Sequence, residues 1–280
     1  MTDRSGALVT AIITTHNRAD LLSRAIDSVL AQTYPHLEII VVDDGSRDGT
    51  PELVGRYREK CEKLRYLRHD TPRGACAARN YGIREAQGEF VAGLDDDDEW
   101  LPRRVEKLLE SFRDEYAYVC SRDWIVYSER VEQREKKRVI TLKEMLYRNV
   151  TGNQILTRRE RLLAVGGFDE SLTSGQDYDM WLRLLERYGS ARMLPEPLQK
   201  VYRDHLGERL SVSRGKIKGD WRLYNKHKDK MTKRQRKVRL MELKRLKGRS
   251  LRLSEPFSIV NTGHFLRYLR YYLRRRLGRV

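Results

Sequence analysis

The amino-acid sequence predicts an α/β fold, with a mainly parallel central sheet flanked by helices and a basic helical C-terminal extension. Continuous apolar, β-branched runs alternate with amphipathic stretches from residue 8 to residue 100, as expected when parallel strands are covered on both faces. The charge then divides the chain, because residues 201 to 280 contain 25 of the 57 Lys and Arg but only 6 of the 40 Asp and Glu. We therefore separate an α/β domain from a basic tail.

Apolar patterning predicts the first two strands and helices. The β-branched run LVTAIITT, from Leu8 to Thr15, predicts a buried strand. Residues 17 to 34 then place leucine, alanine and valine on one helical face. LEIIVVDD, from Leu37 to Asp44, predicts a second strand, after which Thr50 as N-cap and Pro51 at the first helical position begin another helix.

The pattern repeats with a strand over residues 64 to 70, a helix over residues 74 to 88 and a fourth strand from Glu89 to Asp96. Right-handed crossovers bring the carboxyl ends of parallel strands to one edge, where open α/β sheets bind ligands. We therefore expect polar side chains from three strands to converge at this edge. They are Thr14, Thr15, Asn17, Asp43, Asp44 and Asp95 to Asp98.

Four consecutive aspartates follow the fourth strand, in the segment GLDDDDEWLP from Gly93 to Pro102. Hard oxygen ligands at a strand end suit Mg²⁺ or Mn²⁺, which commonly complete their coordination with substrate phosphates. The first strand is not followed by the glycine-rich turn of a dinucleotide fold or a P-loop, so phosphate must be held in another way. The alternative is a solvated turn that caps the helix beginning near Pro102.

Several ordered segments resemble glycosyltransferase family 2. TAIITTHNRADLLSRAIDSVLAQTYPHLEIIVVDDGS is similar to the opening of these proteins, and RGACAARNYGIREAQGEFVAGLDDDDEWLP to the segment leading to their Asp-x-Asp metal motif. GGFDESLTSGQDYDMWLRL resembles their acceptor-side motif, and the similarity extends from about Val9 to His205. The resemblance implies a Rossmann-like, GT-A type fold and a metal-dependent, inverting hexosyltransferase that uses a UDP- or dTDP-sugar.

The resemblance assigns donor-binding roles to the strand ends. Asp44 would accept the imide N–H of a uracil or thymine ring. Because Asp43 and Asp44 precede Gly45, one of the pair could instead form the turn there. Arg79 would pair with the nucleotide or its phosphates, although an arginine on a helix is also a common solvated group. The other residues expected to line the base pocket are Thr14, Thr15 and Asn17.

The family's metal motif maps onto Asp95 and Asp97, with Asp97 as the first choice for Mn²⁺ or Mg²⁺. Asp95 or Asp96 would receive the ribose hydroxyls, because a strand cannot point adjacent side chains at one atom. His205 matches a position that contacts the metal or diphosphate in some relatives. A lone histidine is also a common surface or packing residue.

The segment QDYDMWLRLLERYG predicts an amphipathic helix with Trp181, Leu184 and Leu185 on its apolar face. Aspartates in its first turn have a structural explanation through the helix dipole. The resemblance nevertheless implies that Asp177 is the general base, and Gln176 stands where many relatives have glutamate. The acceptor hydroxyl would lose its proton to Asp177 as it attacks the anomeric carbon.

Domain organisation and location follow from composition. We expect a catalytic domain over residues 1 to 205, with a nucleotide-sugar half (about 1 to 98) and an acceptor half (99 to 205), followed by the tail (206 to 280). No apolar run reaches the ~18 residues of a membrane span, and the N-terminus lacks a signal-peptide pattern. Three scattered cysteines are expected to stay reduced. These features predict a cytoplasmic protein.

The tail ends in HFLRYLRYYLRRRLGRV, residues 264 to 280, which predicts a basic amphipathic helix. Such a helix can bind an anionic membrane surface. Membrane binding would suit a peripheral enzyme that acts on a lipid-linked or cell-surface glycan precursor of lipopolysaccharide or capsule. Alternatively, its leucines dock on the protein and its arginines are solvated. The leucines expected on one face are Leu266, Leu269, Leu273 and Leu277.

Two other function classes stay open from the residues alone. The basic tail is compatible with a nucleic-acid-binding protein, although no recognised nucleic-acid motif is present and no specific nucleic acid is expected. Strand-end aspartates also occur in metal-dependent nucleotidyltransferases, which release pyrophosphate from a nucleoside triphosphate. The identity of the released product separates these classes from a glycosyltransferase.

Overall fold

A mixed β-sheet forms the centre of the first of two compact units. The computed structural model describes residues 6–133, 138–203, 214–248, 252, 254–259 and 264–276. Within these residues the strands are β1 (Val9–Thr15), β2 (Leu37–Asp43), β3 (Leu64–Arg68), β4 (Phe90–Asp95), β5 (Glu99–Trp100), β6 (Val119–Val126), β7 (Val131–Gln133), β8 (Val139–Ile140), β9 (Leu156–Arg158) and β10 (Ala191–Tyr202).

Helices cover the sheet and form most of the second unit. In chain order the helices of the described residues are α1 (Ala19–Leu30), α2 (Thr50–Arg58), α3 (Ala75–Glu85), α4 (Arg104–Ser111), α5 (Leu142–Met145), α6 (Arg159–Ala164), α7 (Gln176–Tyr188), α8 (Arg214–His227), α9 (Lys233–Leu246), α10 (Ser254–Phe257) and α11 (Phe265–Arg276). A short 3-10 helix follows α8 at Lys228–Lys230. Among these described helices, none is long and apolar enough to cross a membrane.

The strand order is β3-β2-β1-β4-β9-β6-β10-β5, with β7 beside β6 and β8 beside β10. β1 pairs in parallel with β2 and β4, and β2 pairs in parallel with β3. β9 is antiparallel to both β4 and β6, whereas β6 and β10 are again parallel. The predicted α/β fold is therefore confirmed, with the longer pairings parallel and the short strands β5, β7, β8 and β9 antiparallel to their neighbours.

The register of the three central strands aligns their carboxyl ends. Thr15 of β1 lies opposite Asp43 of β2, and Thr14 lies opposite Asp95 of β4. Parallel strands in register end at the same edge, so the loops that follow them are neighbours. This register brings the predicted polar residues to one place.

The core of the first unit lies on both faces of this sheet. On one face, Ile13 packs in a cluster with Leu22 of α1 and Leu108 of α4, and each of these side chains is buried. On the other face α3 approaches closely, because a Cβ on Gly82 would lie 2.7 Å from Ile12 Cγ2. Glycine therefore permits the short helix-to-sheet distance that positions α3 at the edge described above.

Each of the two units is built from several separate stretches of the chain. The first comprises the described residues of Met1–Leu142, Val150–Glu170 and Gln176–Leu206, and the second those of Lys143–Asn149, Ser171–Gly175 and Gly207–Val280. In the second unit, Tyr268 of α11 packs against Val238 and Met241 of α9. Long-range hydrogen bonds hold the short segments in this unit, such as Gln235 Nε2 to the Lys143 carbonyl at 2.8 Å.

Candidate active site

Asn17 ties the loop after β1 to the loop after β2. Its backbone N–H donates to Ser46 Oγ (2.8 Å), and its Oδ1 accepts from the Arg47 N–H (2.7 Å). The φ of Asn17 is 53°, a left-handed conformation that asparagine adopts more readily than most non-glycine residues. The structure thus places Asn17 at the same edge as Thr14 and Thr15, where the sequence predicted a base pocket.

Asp44 is buried beside the turn that leads into α3. Its carboxylate accepts hydrogen bonds from Arg73 N (2.8 Å), from Gly74 N (2.7 Å) and from the His69 ring (2.7 Å). Burial alone would raise the pKa of Asp44, but these hydrogen bonds outweigh it and hold the pKa below its ordinary value. The ionised side chain therefore fixes this turn, and its contact with a pyrimidine base stays a prediction.

The turn role foreseen for one of the paired aspartates belongs to Asp43. Its Oδ1 accepts from the Ser46 N–H (2.8 Å), and its Oδ2 accepts from the Tyr66 hydroxyl (2.6 Å). The residue is fully buried. A buried carboxylate with these partners shapes the loop after β2 and is not accessible to a ligand.

The acidic run forms a turn after β4. The strand ends at Asp95, one residue earlier than predicted, and the Asp98 N–H donates to the Asp95 carbonyl (3.1 Å). This hydrogen bond between residues i and i+3 folds the chain back, so Asp98 returns beside Asp95. One oxygen from each of Asp95, Asp97 and Asp98 lies within 4.8 Å of the other two. The structure brings together the predicted ligands Asp95 and Asp97 and adds Asp98.

Asn153 joins the two ends of this acidic turn. Its Nδ2 donates to Asp95 Oδ2 (2.7 Å) and Asp98 Oδ2 (3.0 Å), and the Tyr202 N–H donates to Asp98 Oδ1 (3.2 Å). Burial, together with the charges of Asp95 and Asp97, raises the pKa of Asp98 well above its ordinary value. Three hard oxygen donors that repel one another fit a divalent cation, whose charge would relieve the repulsion.

Two arginines flank the acidic turn, and the sequence analysis did not identify them. Arg18 Nη1 donates to Asp96 Oδ1 (3.0 Å) and lies 3.4 Å from Asp97 Oδ2, while Arg24 Nη2 donates to the Asp97 carbonyl (2.7 Å). Burial raises the pKa of Asp96 to about 6, although Arg18 opposes this. The contact of Asp96 with ribose stays a prediction. For Arg18, the signal available in the sequence was its position directly after Asn17, in the loop that follows β1.

Arg79 connects the acidic turn to the first turn of α7. Its Nη2 donates to Asp95 Oδ1 (2.9 Å), and its Nη1 lies 3.8 Å from Asp177 Oδ1. That oxygen is buried and has no hydrogen-bond partner among the described residues. Burial, reinforced by the charge of Asp95 and opposed by that of Arg79, raises the pKa of Asp177 to about 6. The predicted metal-side and acceptor-side carboxylates therefore meet at one arginine.

Asn80 holds the predicted acceptor-side turn against α3. Its Nδ2 donates to the Phe168 carbonyl (2.9 Å) and Glu170 Oε1 (2.9 Å), and its Oδ1 accepts from the Phe168 N–H (2.7 Å). Gly167 has a φ of 70°, and a Cβ there would lie 2.6 Å from Asn80 Oδ1. Phe168 in turn lies under the Arg79 guanidinium, 5.4 Å from the ring centroid. The turn and the arginine are therefore positioned together.

The remaining predicted site residues have simple outcomes. Gln176 is the first residue of α7, next to Asp177. His205, a predicted metal ligand, lies outside the described residues. The roles of Arg79 toward the nucleotide and of Asp177 toward the acceptor stay predictions, because their present contacts are with other protein groups.

This sheet order, with an acidic turn after β4 and a carboxylate in the first turn of α7, agrees with the GT-A glycosyltransferase fold that the sequence resemblance implied. The chain belongs to glycosyl transferase family 2, because the family model matches residues 10–168. The matched region includes the acidic turn and ends before α7. Asp177 therefore lies beyond the part of the chain that the family model covers.

Two curated relatives have names that describe glycan synthesis. The chain is 32% identical over 257 residues to the putative colanic acid biosynthesis glycosyl transferase WcaA of Escherichia coli (strain K12), covering 89% of this chain and 91% of that protein. It is 29% identical over 223 residues to the GalNAc(5)-diNAcBac-PP-undecaprenol beta-1,3-glucosyltransferase of Campylobacter jejuni, covering 77% of this chain and 70% of that protein.

Solved structures share the fold at lower identity. The mannosyltransferase PcManGT from Pyrobaculum calidifontis, in complex with GDP-Man and Mn²⁺, matches with a TM-score of 0.65 and 20% identity, over 93% of this chain and 74% of that chain. S. aureus TarS 1-349 in complex with UDP-GlcNAc matches with a TM-score of 0.65 and 19% identity, over 97% and 92%. At these identities the likeness establishes the fold alone.

Proposed function

We propose that this glycosyltransferase moves a hexosyl group from a UDP- or dTDP-sugar to a saccharide hydroxyl, with inversion at the anomeric carbon and with the help of a divalent ion. The observation that carries this proposal is the arrangement around Arg79. One guanidinium contacts Asp95 of the acidic turn at 2.9 Å and lies 3.8 Å from Asp177. A proposed metal ligand and the partly buried carboxylate of the proposed base therefore lie on the two sides of one guanidinium.

Asp95, Asp97 and Asp98 would hold the ion, and Mn²⁺ or Mg²⁺ suits their oxygen donors. A bound ion would offset the charge that develops on a departing nucleoside diphosphate. Asn153 keeps two of the three carboxylates together through its amide hydrogen bonds. The related mannosyltransferase structure contains Mn²⁺ together with GDP-Man, which supports the same choice of ion.

Asp177 would act as general base at the acceptor. A pKa of about 6 leaves most of this carboxylate ionised at neutral pH while keeping it a useful proton acceptor. The acceptor oxygen would form a bond to the anomeric carbon as its proton passes to Asp177. The bond from that carbon to the diphosphate oxygen would break, and its electron pair would leave with the nucleotide. A single displacement of this kind inverts the configuration.

The donor would be held at the carboxyl ends of β1, β2 and β4. Thr14, Thr15 and Asn17 lie at this edge, and Asp44 is held in ionised form beside them. The pyrimidine preference rests on the family resemblance. One of the two related structures binds a guanosine donor and the other a uridine donor, so the fold itself accommodates either base.

The acceptor is proposed to be a growing cell-surface polysaccharide or its lipid-linked precursor, glycosylated on the cytoplasmic side. The names of both curated relatives support a role in glycan assembly, and one of these names specifies an undecaprenol-linked glycan as the acceptor. The turn at Gly167 and Phe168, which Asn80 fixes, is the proposed acceptor side of the site.

The decisive experiment is nucleoside diphosphate release from a panel of sugar nucleotides with Mn²⁺ and glycan acceptors. Asp177→Asn should lower kcat by roughly 10²- to 10⁴-fold, because the general base is lost. Asp97→Asn should abolish the Mn²⁺ dependence along with most of the activity. The matched control is Asp229→Asn, an aspartate whose side chain is 87% exposed, and it should be fully active.

Three results would contradict the proposal. Asp177→Asn could keep wild-type kcat, which would exclude this residue as the base. The anomeric configuration of the product could equal that of the donor, which would exclude a single displacement. Release of pyrophosphate from a nucleoside triphosphate would instead indicate a nucleotidyltransferase.

A further inference from the structure

The helix α11 packs with its tyrosines inward. Tyr268 is only 2% exposed, and it contacts Val238 and Met241 of α9 in the small core of the second unit. Its hydroxyl donates to Glu242 Oε2 (2.9 Å). Tyr271 and Tyr272 pack partly buried against the same core. The aromatic residues therefore anchor this helix to its own unit.

The leucines of α11 point outward instead. Leu266 is 61% exposed and Leu273 is 47% exposed, and their spacing of seven residues places them on one side of the helix. The half-buried Leu269 lies between them in the sequence. Phe257 of α10 is 53% exposed and packs against Phe265 at a centroid distance of 5.2 Å. We call the group of Phe257, Leu266, Leu269 and Leu273 the outer face.

This arrangement contradicts one of the two interpretations that the sequence left open for the described part of the tail. If the leucines docked on the protein, Leu266 and Leu273 would be buried and the polar side of the helix would face water. In the structure Leu266 and Leu273 are exposed, the arginines Arg267 and Arg270 are exposed as well, and the tyrosines pack inward. Large apolar side chains grouped on an exposed helix indicate a surface that is covered in use, because their exposure to water costs free energy in proportion to their apolar area.

The charges around the outer face indicate which kind of partner binds there. Arg270 is exposed within α11, and the Arg267 side chain is 47% exposed although it pairs with Glu242 at 3.2 Å. The sequence continues with three further arginines at positions 274 to 276. A partner must therefore offer an apolar phase for leucine and phenylalanine and, directly next to it, a dense layer of negative charge. An anionic lipid bilayer has both properties at its interface.

We propose that the outer face of α11 docks on an anionic bilayer surface, with its leucines among the acyl chains nearest the headgroups and its arginines against lipid phosphates. Nucleic acid is the weaker fit, because its accessible surface is phosphate and sugar and offers no apolar layer for exposed leucines. This inference does not depend on the proposed transfer reaction, since membrane binding can be measured without donor, ion or acceptor.

Vesicle co-sedimentation of the full chain tests the proposal. The protein should bind vesicles made of equal parts phosphatidylglycerol and phosphatidylcholine and should bind phosphatidylcholine vesicles much more weakly. Raising the salt to 1 M should release most of it, because the Debye length falls to about 3 Å. Arg270→Gln should weaken binding to the anionic vesicles by about fivefold, the effect of one basic residue near the surface.

The decisive comparison uses two matched double variants. Leu266→Ser with Leu273→Ser should weaken vesicle binding by at least about tenfold, because two leucines lose their insertion. Leu30→Ser with Leu163→Ser removes two leucines that are 42% and 40% exposed in the first unit, and it should bind like the wild type. Far-UV circular dichroism of both variants should match the wild type, since all four side chains are exposed.

Several outcomes would overturn the proposal. Equal binding to neutral and anionic vesicles would remove the role of the arginines. Unchanged vesicle binding by the Leu266→Ser, Leu273→Ser variant would show that the outer face is not the docking surface. The protein could instead fail to bind vesicles and form a concentration-dependent dimer in sedimentation velocity. If the Leu266→Ser, Leu273→Ser variant did not form this dimer, the outer face would be assigned to a second copy of the chain. Salt-sensitive binding to oligonucleotide without vesicle binding would assign it to nucleic acid.

Discussion

Asp177 is subject to opposing influences that set its protonation. Burial and the charge of Asp95 favour the neutral acid, while Arg79 favours the carboxylate, and the net result is a pKa of about 6. An ordinary aspartate would give up its proton about two pH units lower. A base with the higher pKa accepts a proton more readily, and it is still ionised at neutral pH. The same shift makes the proposed reaction sensitive to mild acid.

The pH dependence of kcat/KM should report this residue. Because the base acts only when ionised and its pKa is raised, activity should be full above pH 7 and should fall as the pH drops through about 6. An ion bound beside Asp95 would offset that carboxylate's repulsion, so the midpoint is expected at 6 or below. Arg79→Gln removes the charge that favours ionisation and should move the midpoint to higher pH. A rate independent of pH down to about 4, the ordinary pKa of aspartate, would exclude Asp177 as the base.

Candidate site residues could be proposed from the sequence where the motif is local. Asp95, Asp97 and Asp177 were proposed from strand ends, a helix start and the family resemblance; in the structure Arg79 joins Asp95 to Asp177, and Asp97 lies in one cluster with Asp95. Asp98 was assigned no role, because the sequence analysis extended the strand alternation to Asp96 and did not foresee the turn that follows β4.

Residues that act across the fold could not be predicted in the same way. Asn153 is 58 residues from Asp95 in the chain, and it reaches the carboxylate only because β9 pairs antiparallel to β4. Nothing in the composition around Asn153 indicates this contact. Arg18 likewise reaches Asp96 across 78 residues. Side chains of this kind become visible only when the sheet order is known.

At the level of elements, β1, β2 and β4 were predictable because each is a largely apolar run with a polar end, and β3, with the sequence LRYLR, was predicted from its place in the alternation of strands and helices. The second half of the sheet was not, since β5, β7, β8 and β9 are two or three residues long. β10 contains Pro195 and Pro197, and its register with β6 shifts around Pro197. Proline cannot donate to the ladder, so a strand of this composition has no clear sequence signature.

The close approach of α3 to the sheet provides a test of packing. Gly82→Ala would place a Cβ 2.7 Å from Ile12 Cγ2 and 3.1 Å from Val42 Cγ2, whereas a Cβ at Gly55 in α2 meets nothing within 4 Å. Both glycines are inside helices, so the gain in helix propensity is the same for the two substitutions. The difference in free energy of unfolding therefore measures the overpacking at α3.

We expect Gly82→Ala to be less stable than Gly55→Ala by about 1–3 kcal/mol, the usual cost of an added methyl group in a packed core. Gly55→Ala itself should stabilise the protein by about 0.5–1 kcal/mol relative to the wild type. Urea denaturation of the three proteins gives both values. Equal stability of the two variants would mean that α3 can move away from the sheet at no cost, and Arg79 would then be less firmly positioned than proposed.

For the whole molecule, the charge boundary and the structural units are related but not identical. The sequence placed a division between residues 205 and 206, where the charge changes and the family resemblance ends. The structure groups Lys143–Asn149 and Ser171–Gly175 with the tail, because they hydrogen-bond to it. Examples are Thr173 Oγ1 to the Gly215 carbonyl (3.0 Å) and Arg222 Nη1 to the Ser171 carbonyl (2.6 Å). No composition change marks these short segments, so only the three-dimensional contacts reveal them.

The proposed ion ligands Asp95, Asp97 and Asp98 all belong to the first unit, so ion binding should stabilise that unit as a whole. At a free Mn²⁺ concentration 100 times its Kd, the stabilisation is about 2.7 kcal/mol, and the unfolding midpoint should rise by roughly 5–10 °C. Differential scanning calorimetry with Mn²⁺ and with chelator measures this shift. Asp97→Asn should lose most of it, while Asp229→Asn should keep it. An equal shift in Asp97→Asn would place the ion elsewhere, because the stabilisation arises from binding of the ion to the folded protein and would then not require this carboxylate.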